Sequence, residues 1–304
     1  MTTDPVVEER LDKAAQALAE ATVLYVGAGA GMGVDSGLPD FRGNAGFWNA
    51  YPPYRELGLD FARLANPTWF RRDPALAWGF YGHRLELYRA TEPHTGFTRI
   101  LEWSKRTRHG AFVFTSNVDG HFQRAGFPEE RVYECHGAIE RLQCLDGCGA
   151  EVFPAAGIRV EVDRSTFRAV GALPSCPSCG GPARPNILMF GDGGYDDEPA
   201  RRRAEEFGSV LREIDLSSER MVVIECGAGT SIPTVRNHCE ALMRMGATLI
   251  RINLREPETP SRGIGVRLGA LAALEALDAR LRTLTNDRFR NQSDRAESVI
   301  VATS

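Results

Sequence analysis

The chain has 304 residues, 43% hydrophobic and 25% charged, with a formal net charge of −4 at neutral pH. That length can bury one large core, or a large domain carrying a small one, and the composition excludes a disordered chain. No apolar run approaches twenty residues, and the balance of charge is acidic, so neither a membrane nor nucleic acid is expected as a partner.

In chain order, the first stretch reads as a helix with Val7, Leu11, Ala14, Ala15 and Leu18 on one stripe. It lacks the basic start and apolar centre of a signal peptide, and seven cysteines without an export signal point to a reducing compartment, the cytoplasm. A strand at Val23 to Val26 then empties into GAGAGMGVDSGLPDFRG, Gly27 to Gly43. Glycine lets backbone approach a ligand closely, so several glycines after a buried strand make room for a pyrophosphate. Asp40, Phe41 and Arg42 follow, an acid, an aromatic and a cation beside that loop.

The segment from Gly43 to about Arg89 is rich in Trp, Phe, Tyr and Pro and reads as a helical insertion. Within its last helix, Pro74 to Ala90, Tyr81 and Arg84 stand three apart and share a face. A phenol and a planar cation can grip a carboxylate, although a packed tyrosine beside a solvated arginine fits the spacing equally. After a helix at Gly96 to Lys105, the strand Ala111 to Thr115 ends in Ser116, Asn117, Val118 and Asp119. Asn117 and Asp119 fall on one side of an extended chain at the strand's carboxyl end, where an Asx turn is the plainer alternative.

His136 follows the Val132-Tyr133 run and precedes Gly137; an imidazole at such a boundary can take a proton near neutral pH or can simply be structural. Arg141 to Arg184 contains Cys144 and Cys148, then Cys176 and Cys179. Two short-spaced thiol pairs fit a four-sulfur structural zinc site with no open position for catalysis. Cys135, Cys226 and Cys239 read as buried small residues. A helix at Ala200 to Ile214 leads to the strand Met221 to Glu225, which opens into Gly227 to Ser231, and the strand Thr248 to Asn253 ends in Asn253. From about Asn286 the chain is polar without periodicity and reads as a loose tail.

Strands alternating with helices predict an α/β fold: a Rossmann-like doubly wound parallel sheet with a small zinc-binding domain and a helical insertion. The expected boundaries are 1–42, 90–132 and 192–285 for the Rossmann-like domain, 43–89 for the insertion, 133–191 for the zinc module and 286–304 for the tail. Oligomeric state is not legible.

Taken together, these motifs resemble the sirtuin family of NAD-dependent protein deacylases, from about Leu11 to Leu277. Gly29 to Arg42 is similar to the family's glycine loop, Thr115 to Gly120 to its T-Q-N-I-D segment, and His136-Gly137 to its catalytic His-Gly. Arg184-Pro185 with Phe190-Gly191-Asp192 resembles the strand that pairs with substrate, Gly229-Thr230-Ser231 the phosphate and ribose loop, and Gly269-Ala270 the adenine contact. The resemblance implies that NAD is cleaved at the nicotinamide bond while an acyl-lysine oxygen attacks the ribose, giving nicotinamide and O-acyl-ADP-ribose. It implies His136 as base, with Asn117 ordering ribose or water and Asp119 holding the carboxamide. Gly29, Ala30, Gly31, Asp40, Phe41, Arg42, Ser116, Val118, Gly229, Thr230, Ser231, Asn253 and Ala270 would line the coenzyme, and Phe190 and Gly191 the peptide.

Trp78 to Arg84 is similar to the W-x-F-Y-x-x-R of members that take succinyl, malonyl or glutaryl lysine, which implies that Tyr81 and Arg84 hold a distal carboxylate. Three positions depart from the family: Gly33 stands for serine, Ser116 for glutamine and Phe122 for a second histidine. An NAD glycohydrolase or ADP-ribosyltransferase, or a non-catalytic sensor of NAD or ADP-ribose, remains an alternative on the same pocket.

Overall fold

The structure is a computed structural model and describes residues 4–39, 43–215 and 217–302. Helix α1 (Pro5–Glu20) begins at Asp4, whose carboxylate accepts from the Val6 amide at 2.9 Å and satisfies one of the open donors of the first turn. It buries Leu11, Ala14, Ala15 and Leu18, the stripe read from sequence. Strand β1 (Val23–Ala28) is buried at every position, so it has covered faces on both sides and reads as an unbroken apolar run. A short α2 (Gly31–Val34) follows, then the helices α3 (Gly43–Ala50), α4 (Pro52–Glu56), α5 (Phe61–Leu64), α6 (Trp69–Arg72) and α7 (Pro74–Ala90).

Asp73 caps α7 by accepting from the Leu76 amide, with Pro74 at the first helical position. From Leu76 to Leu85 the helix is buried on all sides, which explains why it shows no polar stripe. Next come α8 (Thr95–Ser104), β2 (Ala111–Thr115), α9 (His121–Arg124) and β3 (Val132–Glu134). The segment of the cysteines holds β4 (Gly137–Cys144), β5 (Phe153–Pro154), β6 (Glu161–Asp163), β7 (Arg168–Val170) and β8 (Ala183–Ile187). The chain then returns through α10 (Glu198–Arg212), β9 (Met221–Cys226), α11 (Thr234–Arg244), β10 (Thr248–Ile252), β11 (Ile264–Val266) and α12 (Ala270–Ala302).

Among the described residues the main sheet has six parallel strands in the order β3-β2-β1-β9-β10-β11. The chain winds outward from β1 to β3, crosses back and winds outward again from β9. The order therefore reverses between β1 and β9, where an open α/β sheet has its crevice. A second sheet, β5-β4-β8, is antiparallel, and β6 and β7 form a hairpin that fills the long gap between the cysteine pairs. One apolar core lies under α1, α8 and α12; another joins the insertion helices to β4, β8 and the hairpin.

One expectation is corrected. The backbone stays helical from Ala270 to Ala302, where a loose tail was expected from Asn286. No glycine or proline interrupts those residues, and helix-forming side chains dominate, so a polar sequence without an apolar stripe can continue a helix that has already been nucleated.

Candidate active site at the switch point

The loops leaving β1 and β9 meet backbone to backbone. The Gly29 amide donates to Cys226 O and the Gly31 amide to Gly227 O, both at 3.0 Å. A Cβ on Gly29 would lie 2.7 Å from the Ala228 Cα, and one on Gly227 would lie 2.4 Å from Gly31. Side chains at either position would push the loops apart, so these glycines hold a narrow crevice lined by main chain.

Two asparagines brace it. Asn117 Nδ2 donates to Gly29 O at 3.0 Å, and Asn253 Nδ2 donates to Ala228 O at 2.8 Å. Asn253 Oδ1 accepts from the amides of Arg255 and Glu256, so one side chain ties two strand ends together. Thr230 donates its amide and its hydroxyl to the Glu256 carboxylate, at 3.0 and 2.6 Å. Arg236, buried in α11, donates to Ala228 O and to Glu256 O and so clamps the same two loops. Ser231 is exposed beside Thr230, Gly229 is half-buried, and Ser116 donates its amide to Ala28 O. Ala30 is exposed at the crevice, whereas Ala270 is buried at the start of α12, where Asp35 accepts from the Leu271 amide.

His136 sits in the bend between β3 and β4. Cys135 donates its amide to Thr115 O, and Ile139 donates its amide to Val118 O, so the histidine is fastened at both ends alongside Ser116, Asn117 and Val118. Gly137 has φ +77°, and a Cβ there would lie 2.1 Å from Asn186 O; the residue after the histidine must be glycine for the bend to close against β8. Burial lowers the His136 pKa below its ordinary value of 6.5, so the imidazole is neutral at physiological pH and can accept a proton. Asp119 is buried, and its Oδ1 accepts from the His121 amide at 2.9 Å. Asp40, Phe41 and Arg42 lie outside the described residues.

The departures have local reasons. A Cβ on Gly33 would meet Leu38 Cδ1 at 2.9 Å and Asp119 Oδ2 at 3.7 Å, so Leu38 fills the room a larger residue would take. Phe122 packs edge-on against Phe97 and Phe127 and belongs to the core. Its neighbour His121 is fully buried, and neither ring nitrogen has a hydrogen-bond partner among the described residues.

Arg184 and Asp192, both buried, form a two-pronged ion pair at 2.7 and 2.9 Å. Asp192 also accepts from the Met189 and Gly194 amides, which pins the loop carrying Phe190 and Gly191. Phe190 is exposed at the surface, with its amide bonded to Ala65 O, while Leu188 donates to His136 O. On α7, Tyr81 is buried with its ring stacked on Phe70, and its hydroxyl has no hydrogen-bond partner among the described residues. Arg84, also buried, lies on the same side, its guanidinium carbon 5.6 Å from the Tyr81 ring.

The four cysteines come together. Cys144 and Cys179 sulfurs are 3.7 Å apart, as are those of Cys148 and Cys176, and all four lie within 4.8 Å of one another. A tetrahedron with zinc–sulfur bonds of about 2.3 Å has edges of about 3.8 Å, so the cluster fits structural zinc. Cys226 and Cys239 are buried and Cys135 is half-buried, away from that group.

Sequence reading missed Arg236 and Glu256, because their partners are 8 to 26 residues away across a crossover. No local spacing announces such a contact.

A reversed strand order with main chain and asparagine amides converging on the crevice, a fastened imidazole beside it and a four-sulfur knuckle at the far end of β4 define a dinucleotide-binding α/β protein with a zinc module. The Sir2 family model matches residues 29–211. An NAD-dependent protein deacylase of Thermus thermophilus is 31% identical over 273 residues, covering 88% of this chain and 94% of that protein. The mitochondrial NAD-dependent protein deacylase sirtuin-5 of Danio rerio is 33% identical over 189 residues, 57% of this chain and 58% of that one. A crystal structure of a Sir2 homolog–NAD complex superposes with a TM-score of 0.65 at 25% identity, covering 90% of this chain and 94% of the other. The chain belongs to the Sir2 family.

Proposed function

We infer that the protein removes acyl groups from protein lysines with NAD as co-substrate. The observation that carries this reading is the double fastening of the His136 bend to the Asn117 loop, which sets a neutral imidazole beside the crevice at the β1/β9 switch point. NAD, when bound, supplies a ribose carbon whose bond to nicotinamide breaks as the acyl oxygen of the lysine takes its place; one water is then consumed as the acyl carbon parts from the lysine nitrogen, so that nicotinamide, free lysine and O-acyl-ADP-ribose are released.

The chain's own residues position and deprotonate. Gly29, Gly31 and Gly227 give the pyrophosphate a close main-chain wall, and Thr230 and Asn253 stand at the adenosine side. Asn117 holds the loop against Gly29, and Asp119 addresses the carboxamide. His136 takes a proton from a ribose hydroxyl. Phe190 and Gly191 line the peptide, and Tyr81 with Arg84 receives an acidic acyl group such as succinyl or malonyl; the resemblance of Trp78 to Arg84 to the W-x-F-Y-x-x-R pattern, with both side chains buried on one side of α7, supports this finer choice. Cys144, Cys148, Cys176 and Cys179 would hold zinc as a closed structural centre.

We place the coenzyme body at 1–42, 90–132 and 192–285, with 43–89 and 133–191 forming the smaller body. Seven cysteines, four of them grouped for a metal, support a reducing cytoplasm as its compartment. No helix of the described residues is long and apolar enough to cross a membrane.

The test is nicotinamide release with and without an acyl-lysine peptide. Release that needs the peptide, and falls at least about 100-fold in His136→Ala, is expected for loss of a general base. Equal release without peptide would favour a glycohydrolase, and unchanged release in the variant would remove His136 from the chemistry.

A further inference from the structure

We propose that Tyr88 is a positioning residue for acidic-acyl selectivity: its phenol oxygen fixes the Arg84 guanidinium. The proposal rests on the reading of Arg84 as the carboxylate-binding cation. Tyr88 lies four residues beyond Arg84, one turn along α7, and both side chains are buried. Arg84 Nε donates to Tyr88 Oη at 3.0 Å and Nη2 donates to the same oxygen at 2.7 Å. Two donors converging on one acceptor fix both the place and the plane of a guanidinium, which a single hydrogen bond cannot do.

The rings complete the mount. The Arg84 guanidinium carbon lies 5.1 Å from the Phe80 ring, 5.6 Å from Tyr81 and 5.2 Å from Tyr88, so three aromatic residues of α7 surround the cation. Phe80 and Tyr81 supply surface, and Tyr88 supplies the acceptor. Burial raises the Tyr88 pKa above its ordinary value of 10.0, which keeps the phenol neutral and its lone pairs available to the cation.

An arginine side chain has several rotatable bonds, and a carboxylate that must find it loosely held pays for its ordering. Tyr88 removes that cost before the substrate arrives. Its effect therefore falls on acyl groups that end in a carboxylate and spares those that do not.

The experiment compares kcat/KM for succinyl-lysine and acetyl-lysine versions of one peptide in wild type, Tyr88→Phe, Tyr88→Gln and Arg84→Met. The succinyl-to-acetyl ratio is expected to collapse in Arg84→Met and to fall about tenfold in Tyr88→Phe, chiefly through KM for the succinyl peptide. Tyr88→Gln, whose amide oxygen can accept the same donors, is expected to keep the ratio within about threefold of wild type. A wild-type ratio in Tyr88→Phe, with collapse in Arg84→Met, overturns the role of Tyr88 and leaves that of Arg84 standing. An unchanged ratio in Arg84→Met overturns both. Should Tyr88→Phe fail to fold, the glutamine variant decides: loss of the ratio there shows that ring packing, not the acceptor, matters and contradicts the proposal.

Discussion

His136 illustrates how a residue's neighbours set its chemistry. Its imidazole is drawn below the ordinary histidine pKa by burial, and Gly137 at positive φ lets the bend close around it. In its proposed role as a base, His136 works in the neutral form. The acid limb of kcat/KM is therefore expected below pH 6.5, with activity flat from there toward neutrality and lost as pH falls through the depressed pKa. Steady-state rates between pH 5 and 8 check this, and half-loss at or above pH 7 would contradict it. The position of His136, Gly137 and Asn117 at strand ends was legible in the sequence, because strand, polar residue and glycine follow one another within a few positions. Arg236 and the Glu256–Thr230 contact were not, since they join loops brought together only by the crossover between β9 and β10.

Among the elements, the loop after β8 depends on one ion pair. Arg184 and Asp192 are buried together, and removing one partner leaves the other charge without compensation. Asp192→Ala is expected to cost about 3–5 kcal/mol in urea unfolding and to raise KM for the peptide, because the loop carrying Phe190 and Gly191 loses its anchor. A cost below about 1 kcal/mol would show that the loop is held otherwise. The cysteine knuckles of β4 and β8 face a similar test. Chelation, or Cys176→Ser, is expected to release about one zinc per chain and to lower Tm by at least about 10 °C, as a structural site couples metal to fold. Retained Tm with metal removed would argue against a structural role.

These elements differed in how plainly the sequence announced them. β1, β2, β9 and β10 are buried almost throughout and show as apolar runs, whereas β3 and β11 are only three residues long. The β6–β7 hairpin has strands of only three residues, of which Ala169 alone is buried, so the alternation it carries is too short to announce a strand.

For the whole molecule, the reversal of strand order between β1 and β9 is what makes a crevice, and the antiparallel β5-β4-β8 sheet brings the zinc module to it through His136. The doubly wound class was legible because strands and helices alternate in sequence. The helical course of 286–302 was not, because a helix without an apolar stripe leaves no periodic sign. Mass spectrometry of the nucleotide product, from purified protein given NAD and an acyl-lysine peptide, tests the central claim most directly. O-acyl-ADP-ribose formed in step with deacylated lysine is the expected result; free ADP-ribose released at the same rate whether or not the peptide is present would contradict it.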